Sequence, residues 1–259
     1  MSVNLAAATK SASYIDCDVE EPNGRIFLQP KGCEETPVFT ALPEFDESKC
    51  IGCRKCVEFC RFNALMFIGN KPAVFSEVCH ACGGCTLVCS EGAVAETKKQ
   101  IGTVEQGRCG NINVVTGILN IGEASGVAVI RKALDIGLQA NGDAIIDCPP
   151  GSGCSVIESV SASDCCIIVA EPTAFGLHNF KMAYRLAKLL DKSCYAIINK
   201  EDVPYPPLDN FCAENGVKIL ARIPFDPEAA LLLANGKLLY GSNAHYTNLF
   251  RNILCEVKP

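Results

Sequence analysis

The chain has 259 residues, 49% of them hydrophobic and 20% charged, a balance that suits one large globular domain with a smaller one attached. A net charge of −6 lacks the basic footprint that a phosphate backbone demands, so nucleic acid is excluded as a partner, and no apolar run is long enough to span a bilayer. Eighteen cysteines behind an N-terminus with no basic, signal-like start point to a reducing compartment, the cytoplasm.

The first expected element is a buried strand at residues 13–16. It ends in Tyr14-Ile15-Asp16-Cys17-Asp18, with two carboxylates one residue apart. A strand-end Asp is usually a turn or cap residue, so this pair carries little by itself. The cysteine region follows, as Cys50-x-x-Cys53-x-x-Cys56-x-x-x-Cys60 and then Cys79-x-x-Cys82-x-x-Cys85-x-x-x-Cys89, 29 residues on. This is the spacing with which bacterial-type ferredoxins hold two 4Fe–4S clusters. Three thiolates on a tight loop reach three corners of one cube, and the fourth, entering a helix, points to the other. The expected ligand sets are therefore Cys50, Cys53, Cys56 and Cys89 for one cluster, and Cys79, Cys82, Cys85 and Cys60 for the second. Zinc favours separated C-x-x-C pairs, and disulfides need an oxidising compartment, so both fit less well. Arg61 and Ser90 stand where proline commonly follows the fourth cysteine. His80, within the second run, is surplus to the sulfur count and reads as a loop residue.

Residues 45–96 form the insert, two similar cysteine units with few large apolar residues. Its order is expected to depend on the clusters. Residues 112–121, interrupted by Thr116-Gly117, suggest a short hairpin. Val127, Ile130, Ala133, Leu134 and Leu138 recur at helical spacing, as do Phe180, Ala183, Leu186, Ala187 and Leu190. Between and after these helices, residues 144–148, 165–170, 194–198 and 217–223 are short, almost continuous apolar runs. They suit strands of a parallel sheet covered on both faces. Alternation of strand and helix gives a three-layer α/β fold. Cys17, Cys148, Cys165, Cys166 and Cys194 sit in or beside the apolar runs and read as small buried hydrophobes. Asp147 ends its strand before Pro149-Pro150-Gly151, where a carboxylate can hold magnesium directly or through water.

Taken together the segments YIDCDVEEPN (14–23), IIDCPPGSGC (145–154), VAEPTAFGLHNFKMA (169–183), IINK (197–200) and RIPFD (222–226), with the double cysteine run, resemble the MinD/ParA-type (Mrp-like) P-loop ATPases carrying an inserted ferredoxin domain. The resemblance implies a MinD-like core of residues 1–44 and 97–259, with a parallel-sheet P-loop NTPase-like fold, and an α+β ferredoxin-like domain at 45–96. It also implies that Asp18 activates the attacking water and Asp16 supports magnesium. Asp147 would be the Walker-B carboxylate and Asn199 would read the adenine edge, with the loop from Pro224 to Asp226 closing over the base. No G-x-x-x-x-G-K-[ST] occurs in the sequence. The loop would belong just ahead of Ser2, so the reading expects a shortened N-terminus lacking the first strand and the P-loop. Mg-ATP then enters as a cofactor only where that loop exists.

The expected function is electron carriage by two 4Fe–4S clusters, coupled to the ATPase core and directed to a redox partner protein. The resemblance leaves room for a homodimer. Two alternatives stand beside it. A cluster carrier or scaffold would need a C-terminal C-x-x-C, whereas that region offers only Cys212 and Cys255. A ferredoxin module on a disabled ATPase remnant is the other.

Overall fold

The computed structural model describes residues 1–69, 71–140 and 142–257. Helix α1 (Ser2–Ala8) leads into strand β1 (Ala12–Asp16), whose five residues are all buried. Side chains alternate across a strand. Ile15 accordingly joins Val115, Val129 and Ile130 on one face, while Tyr14 packs with Val3, Leu28 and Val114 on the other. Burial on both faces makes β1 a central strand. A short helix α2 (Gly24–Leu28) follows, and strand β2 (Lys31–Phe45) then leaves the core.

Beyond β2 come helix α3 (Lys55–Phe59), the hairpin strands β3 (Leu65–Ile68) and β4 (Lys71–Val74), and helix α4 (Gly84–Leu87). Strand β5 (Val94–Cys109) carries the chain back, antiparallel to β2 from Phe45 opposite Val94 down to Lys31 opposite Arg108. The cysteine module thus sits at the tip of a continuous two-stranded ribbon. Its halves exchange backbone bonds: the Asp46 amide donates to the Ala93 carbonyl, and the Phe75 amide to the Ala64 carbonyl. Both pairs obey the same 29-residue offset as the cysteines.

Strand β6 (Ile112–Leu119) returns through a turn at Gly110, left-handed at φ 57°, and lies antiparallel to β5 and parallel to β1. Residues 112–119 are therefore one strand, not a hairpin broken at Thr116-Gly117. Gly117 serves close packing instead, because a Cβ there would stand 2.6 Å from a Val19 methyl. The sheet is accordingly mixed rather than wholly parallel.

Helix α5 (Val127–Gly137) buries Val129, Ile130, Ala133 and Leu134; of the residues its spacing places on that face, Val127 is half-buried and Leu138, beyond the helix end, is exposed. Strand β7 (Asp143–Asp147) pairs parallel with β1, and helix α6 (Cys154–Ser161) leads on to β8 (Cys165–Ala170). Helix α7 (Ala174–Leu189) is capped by the Thr173 hydroxyl, which accepts from the Gly176 amide at 2.9 Å. Strand β9 (Ser193–Asn199), helix α8 (Pro206–Glu214), strand β10 (Lys218–Ile223), helix α9 (Pro227–Ala234) and helix α10 (Ala244–Val257) complete the chain. No helix among the described residues is long and apolar enough to cross a membrane.

The sheet is broken. Five strands run in the order β2-β5-β6-β1-β7 and three in the order β10-β9-β8, so β7 and β8, consecutive in sequence, each end a sheet. Ile145 of β7 and Ile167 of β8 nonetheless pack against one core cluster with Leu5, Ile197 and Phe250. None of the five residues of β7 is buried, and Val169 of β8 is 42% exposed. The sequence suggests burial on both faces for these strands, and the open edges explain the difference. The cysteines follow suit. Cys17 is buried, but Cys148 is exposed and Cys165, Cys166 and Cys194 are only half-buried.

Candidate metal centre

Two recesses occupy the module. One is lined by Cys50, Cys53, Cys56 and Cys89; the other by Cys60, Cys79, Cys82 and Cys85. The crossed assignment arises from the backbone. Each cysteine loop bends through two left-handed residues, Gly52 (φ 71°) and Arg54 (φ 63°) in the first, Ala81 (φ 50°) and Gly83 (φ 70°) in the second. Such turns wrap the chain around a volume and aim successive amides at it, which suits an anionic group. Helices α3 and α4 then carry Cys60 and Cys89 away to the opposite recess. Each of these sulfurs accepts an amide at the same offset, Ala64 to Cys60 Sγ at 3.4 Å and Ala93 to Cys89 Sγ at 3.3 Å.

The donor set tests the fit. Among the described residues no three His, Cys, Asp or Glu side chains converge to grip a single ion. Zinc needs donors meeting at about 2.3 Å from one point. Thiols spread around the wall of a recess suit a cube with a ligand at each corner, and these residues fit it. Burial pushes the Cys56 and Cys85 thiols up, so each keeps its proton until a metal binding the sulfur displaces it to solvent. His80 stacks on Phe62, ring centroids 4.0 Å apart, and joins the wall of the recess of Cys60, Cys79, Cys82 and Cys85. The module buries little of its own: Ala64, Leu65, Ala93 and Val94 are inside, while Phe59, Phe62, Met66, Ile68 and Leu87 are exposed.

A second group of polar side chains lies at the strand ends of the core. Asp16 and Asp147 are register partners on β1 and β7. Asp16 is 1% exposed and accepts from the amides of Gly24 at 3.0 Å and Asp18 at 3.3 Å. Gly24 has to be glycine for this approach, since a Cβ would fall 2.2 Å from the Tyr14 hydroxyl. That hydroxyl donates to Asp147 Oδ2 at 2.7 Å, as does the Ser2 hydroxyl at 2.7 Å. Burial, reinforced by Asp147, lifts the Asp16 carboxyl to about 6 against the two amide bonds. Asp18, half-buried, is likewise raised by burial and then by Asp147. Asp147 thus adds its charge to the burial that lifts Asp16 and Asp18, although the three carboxylates do not converge to grip one ion.

Asn199 ends β9 and Pro224 follows β10, in the sheet across the break from β1 and β7. Asp226 is committed elsewhere. Its Oδ1 accepts from the amides of Glu228 and Ala229, capping α9, and its Oδ2 from the Tyr246 hydroxyl at 2.6 Å. It anchors the loop, leaving Pro224 and the exposed Phe225 as the part able to cover a ligand. The sequence reading passed over Tyr14, Ser2 and Gly24. Tyr14 was findable, because it lies two residues before Asp16 and so shares its face.

The raised Asp16 carboxyl gives a measurable slope. A proton held more tightly in the native state makes stability fall as pH rises between 3.8 and about 6. Asp16→Asn should therefore be more stable than the parent at pH 7, by up to roughly 3 kcal/mol, and urea unfolding at pH 5 should show roughly half that advantage. An equal advantage at both values would mean that the charge of Asp16 is not its cause.

Residues 43–66 match the family described as a 4Fe-4S binding domain. Two uncharacterized proteins of Methanocaldococcus jannaschii are similar over most of the chain. One is 27% identical over 252 residues, covering 95% of this chain and 84% of the relative; the other is 28% identical over 250 residues, covering 94% and 84%. Among solved structures, the septum site-determining protein MinD of Pyrococcus horikoshii, complexed with Mg-ADP, superposes with a TM-score of 0.55. It is 14% identical, and the superposition covers 99% of this chain and 87% of that one. The likeness shows the fold. This chain carries a 4Fe-4S binding-domain match within a MinD-like α/β fold.

Proposed function

We propose that the chain holds two 4Fe–4S clusters and relays single electrons, with the aspartate group of its core responding to a magnesium nucleotide. The observation that carries the first part is the pair of recesses, each walled by three cysteines of one loop and the fourth of the other. A bound cluster supplies one-electron chemistry. Four thiols would hold each cluster, the left-handed turns wrap the chain around it, and the exposed Ile51 and Phe59 on the recess walls offer a redox partner a dry approach.

For the nucleotide, Asp147 and Asp16 would hold magnesium or its waters, Asp18 would orient the attacking water, and Asn199 with Pro224 would meet the base. The phosphates have no cradle in this sequence, which contains no G-x-x-x-x-G-K-[ST]. A strand lying between β7 and β8 would join the two sheets and bring such a loop to the aspartates.

Anaerobically prepared protein should contain about eight irons and about eight sulfides per chain, with spin–spin interaction between neighbouring centres on reduction. Chelation should make residues 45–96 protease-sensitive while the α/β core resists, since metal replaces the missing apolar core of the module. About four irons per chain, or an insert equally resistant without metal, would defeat the two-cluster reading. Ready loss of iron to an apo-acceptor protein would favour a cluster carrier instead.

A further inference from the structure

The two recesses share a backbone but not a charge. Positions 29 apart correspond, and Arg54-Lys55 of the first loop stands where the second has Gly83-Gly84. The left-handed conformation at the first of these positions suits glycine, yet the first loop places an arginine there at φ 63°. Its guanidinium lies 5.3 Å from the ring centroid of Phe67, and both Arg54 and Lys55 line the recess of Cys50, Cys53, Cys56 and Cys89. The counterpart of Phe67 is Glu96, whose carboxylate lines the recess of Cys60, Cys79, Cys82 and Cys85 and accepts from the Thr86 hydroxyl. A Cβ at Gly84 would meet the Phe59 ring at 2.2 Å, so the second loop has no room for a counterpart of Lys55. Glu91 lines the first recess and offsets one of its cations; among the described residues no lysine or arginine lines the second.

We infer that Arg54, with Lys55, makes the Cys50–Cys53–Cys56–Cys89 site the one that keeps an added electron, while Glu96 disfavours it at the other. The inference rests on the two-cluster reading. One electron from an external one-electron donor adds one negative charge to whichever site receives it. No bond forms or breaks, and the fixed charges around each recess decide the preference. Arg54, Lys55 and Glu96 are exposed, so solvent screening holds the effect of each to about tenfold, roughly 59 mV for one electron. Arg54 is a positioning residue for charge, since it touches no transferred atom.

The test is an anaerobic dithionite titration of the intact holoprotein followed by electron paramagnetic resonance. It is run at one fixed pH throughout. The parent should show two one-electron steps whose separation narrows as salt is raised. Arg54→Gln should move the upper step to more negative potential by about tenfold in equilibrium preference, Arg54→Lys should keep it, and Glu96→Gln should raise the lower step. Should Arg54→Gln lose iron, Lys55→Gln, with no left-handed backbone to strain, makes the same measurement. Equal shifts for Arg54→Gln and Arg54→Lys, or movement of the lower step by Arg54→Gln, overturns the inference while eight irons still uphold the two-cluster reading. About four irons per chain overturns both.

Discussion

Cys60→Ser is expected to cost the protein about half its iron, and the iron lost should be that of the loop in which Cys60 does not lie. Cys60 follows the first cysteine loop in sequence but lines the recess of Cys79, Cys82 and Cys85. The crossed wiring can be read from paired substitutions, because residues that serve one site do not add their losses. Combining Cys60→Ser with Cys82→Ala should leave the iron content where either single change puts it. Combining Cys60→Ser with Cys53→Ala should empty both sites. Cys89→Ser should show the mirror pattern, redundant with Cys53→Ala and additive with Cys82→Ala. If Cys60→Ser proves redundant with Cys53→Ala, each loop closes its own site, and the helices α3 and α4 do not send their cysteines across.

The cysteine sites were legible because their information is local. A three-residue spacing fixes which thiols share a loop, and a short helix fixes where the fourth goes, with no need to know what the rest of the chain does. The strands were legible for a related reason, as apolar runs such as Cys165–Ala170 identify themselves within a few residues. What lies beside a strand is set by distant residues, and there the sequence misleads. Cys148, Cys165 and Cys166 look like core residues in their own neighbourhoods, yet they are not buried, because β7 and β8 are edges; Cys194, on the central strand β9, is also only half-buried. Thr116-Gly117 reads as a turn until the closeness of Val19 shows why a glycine is needed inside a strand. Asp226 follows a strand as ligand-binding aspartates do, but the amides of α9 and the Tyr246 hydroxyl, 20 residues on, claim both its oxygens.

Placing a short apolar strand and a glycine-rich loop bearing lysine and Ser/Thr ahead of Ser2 is expected to convert weak or absent Mg-ATP binding into firm binding. The expectation comes from what the core already holds. Ser2 opens α1 with its hydroxyl 2.7 Å from Asp147, so a loop joined there would deliver its amides beside the three aspartates. Its strand would lie between β7 and β8, each the end strand of its own sheet, with Ile145 and Ile167 on a shared cluster. Closing the break buries Val169 and its neighbours, and each kcal/mol gained should raise the melting temperature by about 2–4 °C for a chain of this size. Magnesium would relieve the strain that lifts the Asp16 carboxyl to about 6. In the extended protein Asp147→Asn should weaken magnesium-dependent binding, whereas Asp18→Ala should leave binding largely intact and abolish hydrolysis. Calorimetry and phosphate release separate these outcomes. If the chain of 259 residues itself bound Mg-ATP tightly, phosphate would be held by groups other than a glycine-rich loop, and the break between β7 and β8 would not be where that loop belongs.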